Sequence, residues 1–170
     1  LRPVPPIEPF AQPPRGMILS EGAGAVLLTR SGAFQIDKIA AGTNFRKQSE
    51  AGDSVRKVFS ELCRDGETDL VMASANGTFV DEAERGAIAQ ACPNAKVYSL
   101  KGALGESVGA SSLWQTIAAT QALRTQRVPN SRLRLAEPNR EAKLRRAVVS
   151  VCGLNQQVAG LQVTLGDSVA

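Results

Sequence analysis

Between Ser49 and Asp65 the apolar residues Val55, Val58, Phe59, Leu62 and Cys63 recur at i, i+3, i+4, i+7 and i+8. That spacing makes one stripe on a helix, which Asp65-Gly66 closes. Leu70-Val71-Met72-Ala73 is a continuous apolar run of strand length and reads as a short buried strand. After a loop from Ser74 to Val80, Asp81-Glu82-Ala83-Glu84 has the capping-box pattern of a helix start, and Cys92-Pro93-Asn94 ends that helix. Upstream, Ala23 to Thr29 predicts a strand, Arg30-Ser31-Gly32 a tight turn and Phe34 to Ala41 a second strand: a hairpin with one buried face. At the other end, Ala147-Val148-Val149-Ser150-Val151 and Val158 to Leu165 predict an antiparallel pair, joined by a turn that begins Cys152-Gly153-Leu154-Asn155.

Strands alternating with amphipathic helices predict an α/β layered fold with a mixed sheet and helices on both faces. The stretch from Ala95 to Ser112 is its centre: a strand (Lys96 to Leu100), then Lys101, then Gly102, Gly105 and Gly109 leading through small residues into a helix. Such a turn is where α/β proteins build sites, because glycines let backbone approach closely and a helix start offers unpaired N–H groups. The helix that follows has Leu113, Ile117, Ala118, Ala122 and Leu123 as candidate core before Pro129.

Composition narrows the choices. The 170 residues are 43% hydrophobic and 21% charged, a globular balance with enough chain for a sizeable core. The first fourteen residues carry six prolines, which predicts an extended connector over residues 1–22 ahead of a domain over 23–170, with an arm or linker from something N-terminal as the natural inference. No apolar run approaches a membrane span and no leader pattern opens the chain, so the expectation is a cytoplasmic protein with no membrane partner. The net charge of +4 is mild and aromatics are only 4%, which predicts no nucleic-acid binding. Cys63, Cys92 and Cys152 are widely spaced in apolar surroundings and read as core thiols. With no histidine and no close cysteine pair, neither a metal site nor a cofactor is expected, and every imidazole-based mechanism is excluded within these residues. The basic passage Arg132, Arg134, Arg140, Lys143, Arg145 and Arg146 reads as a solvated loop partly offset by Glu137 and Glu141. Its alternative is a surface that steers an acidic partner to a stand-alone interaction module.

K-G-A-L-G-E-S-V-G-A-S, residues 101–111, resembles the Lys-x-x-x-Gly-His-(Thr/Ser)-x-Gly-Ala-Ala segment of β-ketoacyl-acyl-carrier-protein synthases, condensing enzymes of the thiolase superfamily. Lys101, Gly105, Gly109 and Ala110 are in register, with Glu106 where that family keeps a catalytic histidine. Ile7-Glu8-Pro9-Phe10, Arg15-Gly16 and Ser20 to Leu28 are similar to the family's Arg-Pro-Phe-Asp…Arg-x-Gly…Gly-Glu-Gly-Ala-Gly-Ala run, in the same order. The resemblance spans about Ile7 to Val163 and implies the C-terminal half of a thiolase-type fold, the nucleophilic cysteine belonging to the preceding half.

Ketosynthases load an acyl chain on cysteine, decarboxylate a malonyl unit and join the two, which requires donors where enolate charge develops. The resemblance places the family's two histidines near Ala73 and at Glu106, and both are missing here. Asn76 remains as a donor, but an amide does not shuttle protons. An ionised Glu106 repels a malonyl carboxylate by about 4 kcal/mol at 4 Å and an effective dielectric near 20. Lys101 and Glu84 match the family's lysine and glutamate and Asn155 its turn asparagine. Their structural readings are an internal ion pair for Lys101, a capping-box residue for Glu84 and a turn former for Asn155, so no catalytic residue is assigned. The resemblance implies an impaired, chain-length-factor-type subunit of fatty acid or polyketide biosynthesis, dimeric with an active ketosynthase and meeting an acyl carrier protein. The alternative is the C-terminal part of an active 3-oxoacyl-[acyl-carrier-protein] synthase whose cysteine lies on another segment or chain.

Overall fold

Leu70-Val71-Met72 is apolar on both faces because it is covered on both faces in the computed structural model, which describes residues 8–128, 143–152 and 156–166. The element order is β1 (Phe34–Ala41), α1 (Gln48–Leu62), β2 (Leu70–Met72), α2 (Val80–Ala91), β3 (Lys96–Tyr98), α3 (Lys101–Leu104), α4 (Ser111–Thr125), β4 (Arg146–Cys152) and β5 (Val158–Leu165). The sheet order is β1-β5-β4-β2-β3. β5 is antiparallel to both its neighbours, while β4, β2 and β3 are parallel. It follows that β1 also runs with β4, and that α1 and α2, each linking two parallel strands, run side by side in one direction.

Alternation along the strands divides the core into two layers. Val71, Val97 and Val148 face α1 and α2 and pack with Val55, Val58, Phe59 and Ile88. Leu70, Met72, Ala147 and Val149 face α4 and pack with Ala119, Ala122 and Leu123. The mixed sheet with helices on both faces is therefore as expected, and so are the two long strands that close the chain.

The predicted opening hairpin does not form. Residues 23–29 are irregular, with Leu27 88% and Leu28 72% exposed, and β1 pairs with β5 instead. Trp114 holds this segment elsewhere: its indole N–H donates to the Ala23 carbonyl at 2.9 Å, and a Cβ on Gly22 would lie 2.2 Å from its ring. The run of small residues serves close approach to a tryptophan, not strand pairing. β1 is left as an edge, interrupted by a register shift between Ile36 and Lys38 and bearing Asp37 and Lys38, features that blunt edge-to-edge pairing.

Three local expectations also change. Gly102 sits inside α3, and of the three glycines in the central stretch only Gly105 takes a positive φ, of 76°. In α4 the buried residues are Ser111, Gln115, Ala119, Ala122 and Leu123, whereas Leu113, Ile117 and Ala118 are only half-buried. Gln115 is tolerated in the core because its amide donates to the carbonyls of Ala73 at 2.8 Å and Ser150 at 2.9 Å, tying α4 to β2 and β4. The Asp81/Glu84 capping box is absent: α2 has no side-chain cap, and both carboxylates turn toward the loop before it. Asn155 and most of the basic passage, Arg132, Arg134 and Arg140 included, lie outside the described residues.

Candidate functional site

The helix after β2 covers one face of the sheet and the helices after β3 lead to the other. Adjacent parallel strands whose following helices diverge open a crevice at their carboxyl ends, the usual place for a site in such sheets. The polar residues of the central stretch and of the loop after β2 meet there.

Lys101 begins α3 directly after β3, and Gly105 reverses the chain so that Glu106 comes back onto it. The two form an ion pair, Nζ to Oε2 at 2.6 Å, with side chains only 3% and 6% exposed. The same Glu106 oxygen accepts from the Asn76 amide at 2.9 Å, and the Lys101 ammonium also donates to Ser74 Oγ at 3.1 Å. Ser74 Oγ in turn accepts from the Cys152 N–H at 2.9 Å, so the end of β4 joins the network. Ser99 Oγ donates to the Ala75 carbonyl at 2.6 Å and links the loops after β2 and β3. A buried lysine–glutamate pair survives only with such supporting bonds, since desolvation of both ions otherwise outweighs their attraction.

Two further carboxylates organise the loop. Asp81 accepts the N–H groups of Asn76 and Gly77, each at 3.0 Å, and of Phe10 at 2.7 Å. Glu84 Oε1 accepts the Ser74 N–H at 2.8 Å, while no hydrogen bond of ordinary geometry reaches its Oε2. Burial pushes the Glu84 carboxyl up to about 7, with the Asp81 charge adding to this and the Ser150 hydroxyl, the Ser74 N–H and the Lys101 charge opposing it. Cys152 is no nucleophile: burial first, then the Glu84 carboxylate, pushes its thiol up to about 12.

Residues 10–20 cross the mouth of this network. The Gly16 N–H donates to the Gly77 carbonyl at 2.8 Å, the Glu106 N–H to Ile18 at 2.8 Å, and the Ser20 N–H to Glu106 at 2.9 Å. Gly77 (φ 88°) and Gly105 are required by that approach, since added Cβ atoms would lie 2.4 Å from the Gly16 carbonyl oxygen and 2.9 Å from that of Ile18.

Residues 28–133 match the family described as Beta-ketoacyl synthase, C-terminal domain. The chain belongs to that family. A structure of the ishigamide ketosynthase/chain length factor superposes with a TM-score of 0.75 at 20% identity, covering 98% of this chain and 48% of that one. The complex of the ketosynthase ApeO with its chain length factor ApeC from Xenorhabdus doucetiae gives 0.72 at 13% identity, over 94% of this chain and 46% of that one. A third, the type II polyketide carrier protein with its ketosynthase, AntDE:AntF, gives 0.60 at 9%, over 79% and 34%. The likeness is one of fold, and this ketosynthase-type chain spans about half the length of the first of these relatives. No curated protein sequence matches it.

Of the residues named from sequence, Lys101, Glu106 and Asn76 come together in this ketosynthase-type fold, and Glu84 joins them through Ser74. Ser74, Ser99, Asp81 as a loop anchor and the crossing strap of residues 10–20 were not anticipated. The turn-forming Asn76-Gly77, a few residues before Asp81, was the available signal that backbone N–H groups there needed an acceptor. Among the described residues no cluster suited to a metal ion occurs and no helix is long and apolar enough to cross a membrane.

Proposed function

We propose that this chain is the C-terminal half of a chain-length-factor-type subunit, a ketosynthase scaffold that performs no condensation itself. It acts in the cytoplasm with an active ketosynthase, in polyketide or fatty acid assembly on an acyl carrier protein. Residues 1–22 act as a connector and 23–170 as the thiolase-type domain. One observation carries the reading: Glu106, at the position resembling the family's catalytic histidine, takes up the hydrogen bonds of both nearby donors, Lys101 and Asn76. An anion-holding site requires those donors to face substrate. Here they face an internal carboxylate, so they are not free to hold the charge of a forming enolate. The similarity in fold to ketosynthase/chain-length-factor complexes supports a pairing with an active subunit.

The test is decarboxylation. The intact protein alone, with no ketosynthase partner, is given malonyl carrier protein. No release of carbon dioxide is expected. Turnover in this sample would refute a non-catalytic subunit and favour an active synthase.

A further inference from the structure

Because α1 and α2 run in the same direction over one face of the sheet, their last residues end side by side, at the opposite end of the strands from the Lys101–Glu106 crevice. Each helix closes on a cysteine. Cys63 is the C-cap of α1, its N–H bonded to the Phe59 carbonyl, and Cys92 is the C-cap of α2, its N–H bonded to that of Ile88. Cys63 packs against the core cluster that contains Cys92 and shares a cleft with Ala87, Gln90 and Ala91 at the end of α2, and the Thr68 hydroxyl donates to the Cys63 sulfur at 3.7 Å. The two thiols differ in access. Cys92 is buried, whereas Cys63 is half-buried and lines a cleft of about 480 Å³ between the two helices. Arg56, Lys57, Ser60 and Gln90 share that cleft, with Asp53 paired to Arg56. Cationic and amide groups beside an accessible sulfur suit a small peptide disulfide bearing carboxylates.

We propose that Cys63 is a thiol-modification site for glutathione-type disulfides, and that Cys92 resolves the adduct into a Cys63–Cys92 bridge between the ends of α1 and α2. The Cys63 thiolate attacks one sulfur of glutathione disulfide, whose S–S bond breaks and releases glutathione thiolate. Cys92, giving up its proton to water, then attacks Cys63 Sγ and expels the second glutathione. The protein's two thiols lose two electrons and the small disulfide is reduced to two thiols, so the exchange balances. The hydrogen bond from Cys92 chiefly holds Cys63 below the usual thiol range against the opposing effect of burial, with Thr68 and the Lys38 charge assisting, and the same coupling pushes Cys92 up. Attack in this order, exposed sulfur first and buried sulfur second, follows from both access and charge.

The intact protein is incubated with glutathione disulfide and mapped by peptide mass spectrometry. Wild type is expected to accumulate the Cys63–Cys92 bridge, and Cys92→Ser to stop at a glutathione adduct on Cys63. Alkylation of native protein by iodoacetamide, which needs no variant, is expected to label Cys63 at least about 10-fold faster than Cys152, whose thiol is buried and raised. Equal labelling of the two, or no adduct on Cys63 in Cys92→Ser, overturns the site. A stable Cys63 adduct in wild type without the bridge overturns the role of Cys92.

Discussion

Removing either member of the Lys101–Glu106 pair tests whether the crevice is filled by an internal ion pair. At the observed 2.6 Å the gross Coulomb attraction is about 6 kcal/mol at an effective dielectric near 20. Desolvation of two nearly inaccessible ions offsets much of this, so the pair contributes little relative to an apolar replacement, yet breaking it strands one charge. Lys101→Met and Glu106→Gln are each expected to destabilise the protein by about 3 kcal/mol or more. The double variant is expected to lose less than the sum, with a coupling of about 2 kcal/mol. The assay is urea unfolding followed by Trp114 fluorescence, since that indole packs where the 22–24 segment meets α4. Single variants within about 0.5 kcal/mol of wild type, or strict additivity, would refute a buried, fully engaged pair and with it the argument that Glu106 occupies the donors.

Glu84 carries the pH dependence. Its carboxyl is raised from 4.5 to about 7 in the fold, so between those values the native state keeps a proton that the unfolded chain has lost. Stability from this group is present below pH 4.5 and falls as pH rises to 7, by about 3 kcal/mol in all. Glu84→Gln removes that slope: its stability relative to wild type rises from pH 4.5 to 8 in denaturant titrations, and an unchanged difference would mean Glu84 is ionised throughout. Asp81→Ala deletes the acceptor of three backbone N–H groups and is expected to cost about 3 kcal/mol or more, with faster proteolysis between residues 10 and 16. Unaltered cleavage there would show that the strap is held by other contacts. Gly105→Ala is expected to lose about 2 kcal/mol or more from backbone strain and the clash with Ile18, and a neutral result would mean the strap yields freely.

The strands and helices of the core follow from local pattern alone. The stripe in α1, the apolar runs of β2 and β4 and the alternation of β5 each bury one definite set of side chains, and that period is written in consecutive residues. The family resemblance was equally local, resting on glycines whose backbone demands are carried by residues 101–111 and 20–28. What the sequence alone left undecided were the partners of polar groups. Glu84 and Asp81 spell a capping box, yet one accepts from Ser74 and the other from Asn76, Gly77 and Phe10, because those buried N–H groups would otherwise lack an acceptor. Val26-Leu27-Leu28 spells a strand, yet Trp114, some ninety positions away, claims the small residues beside it. Whether Glu106 would repel anions or be neutralised depended on where Lys101 and Asn76 pointed, and only the parallel pairing of β2 with β3 in one sheet brought all three within hydrogen-bonding distance. Periodicity specifies which face of an element is buried, whereas the pairing of charges is set by distances between elements that no stretch of sequence records.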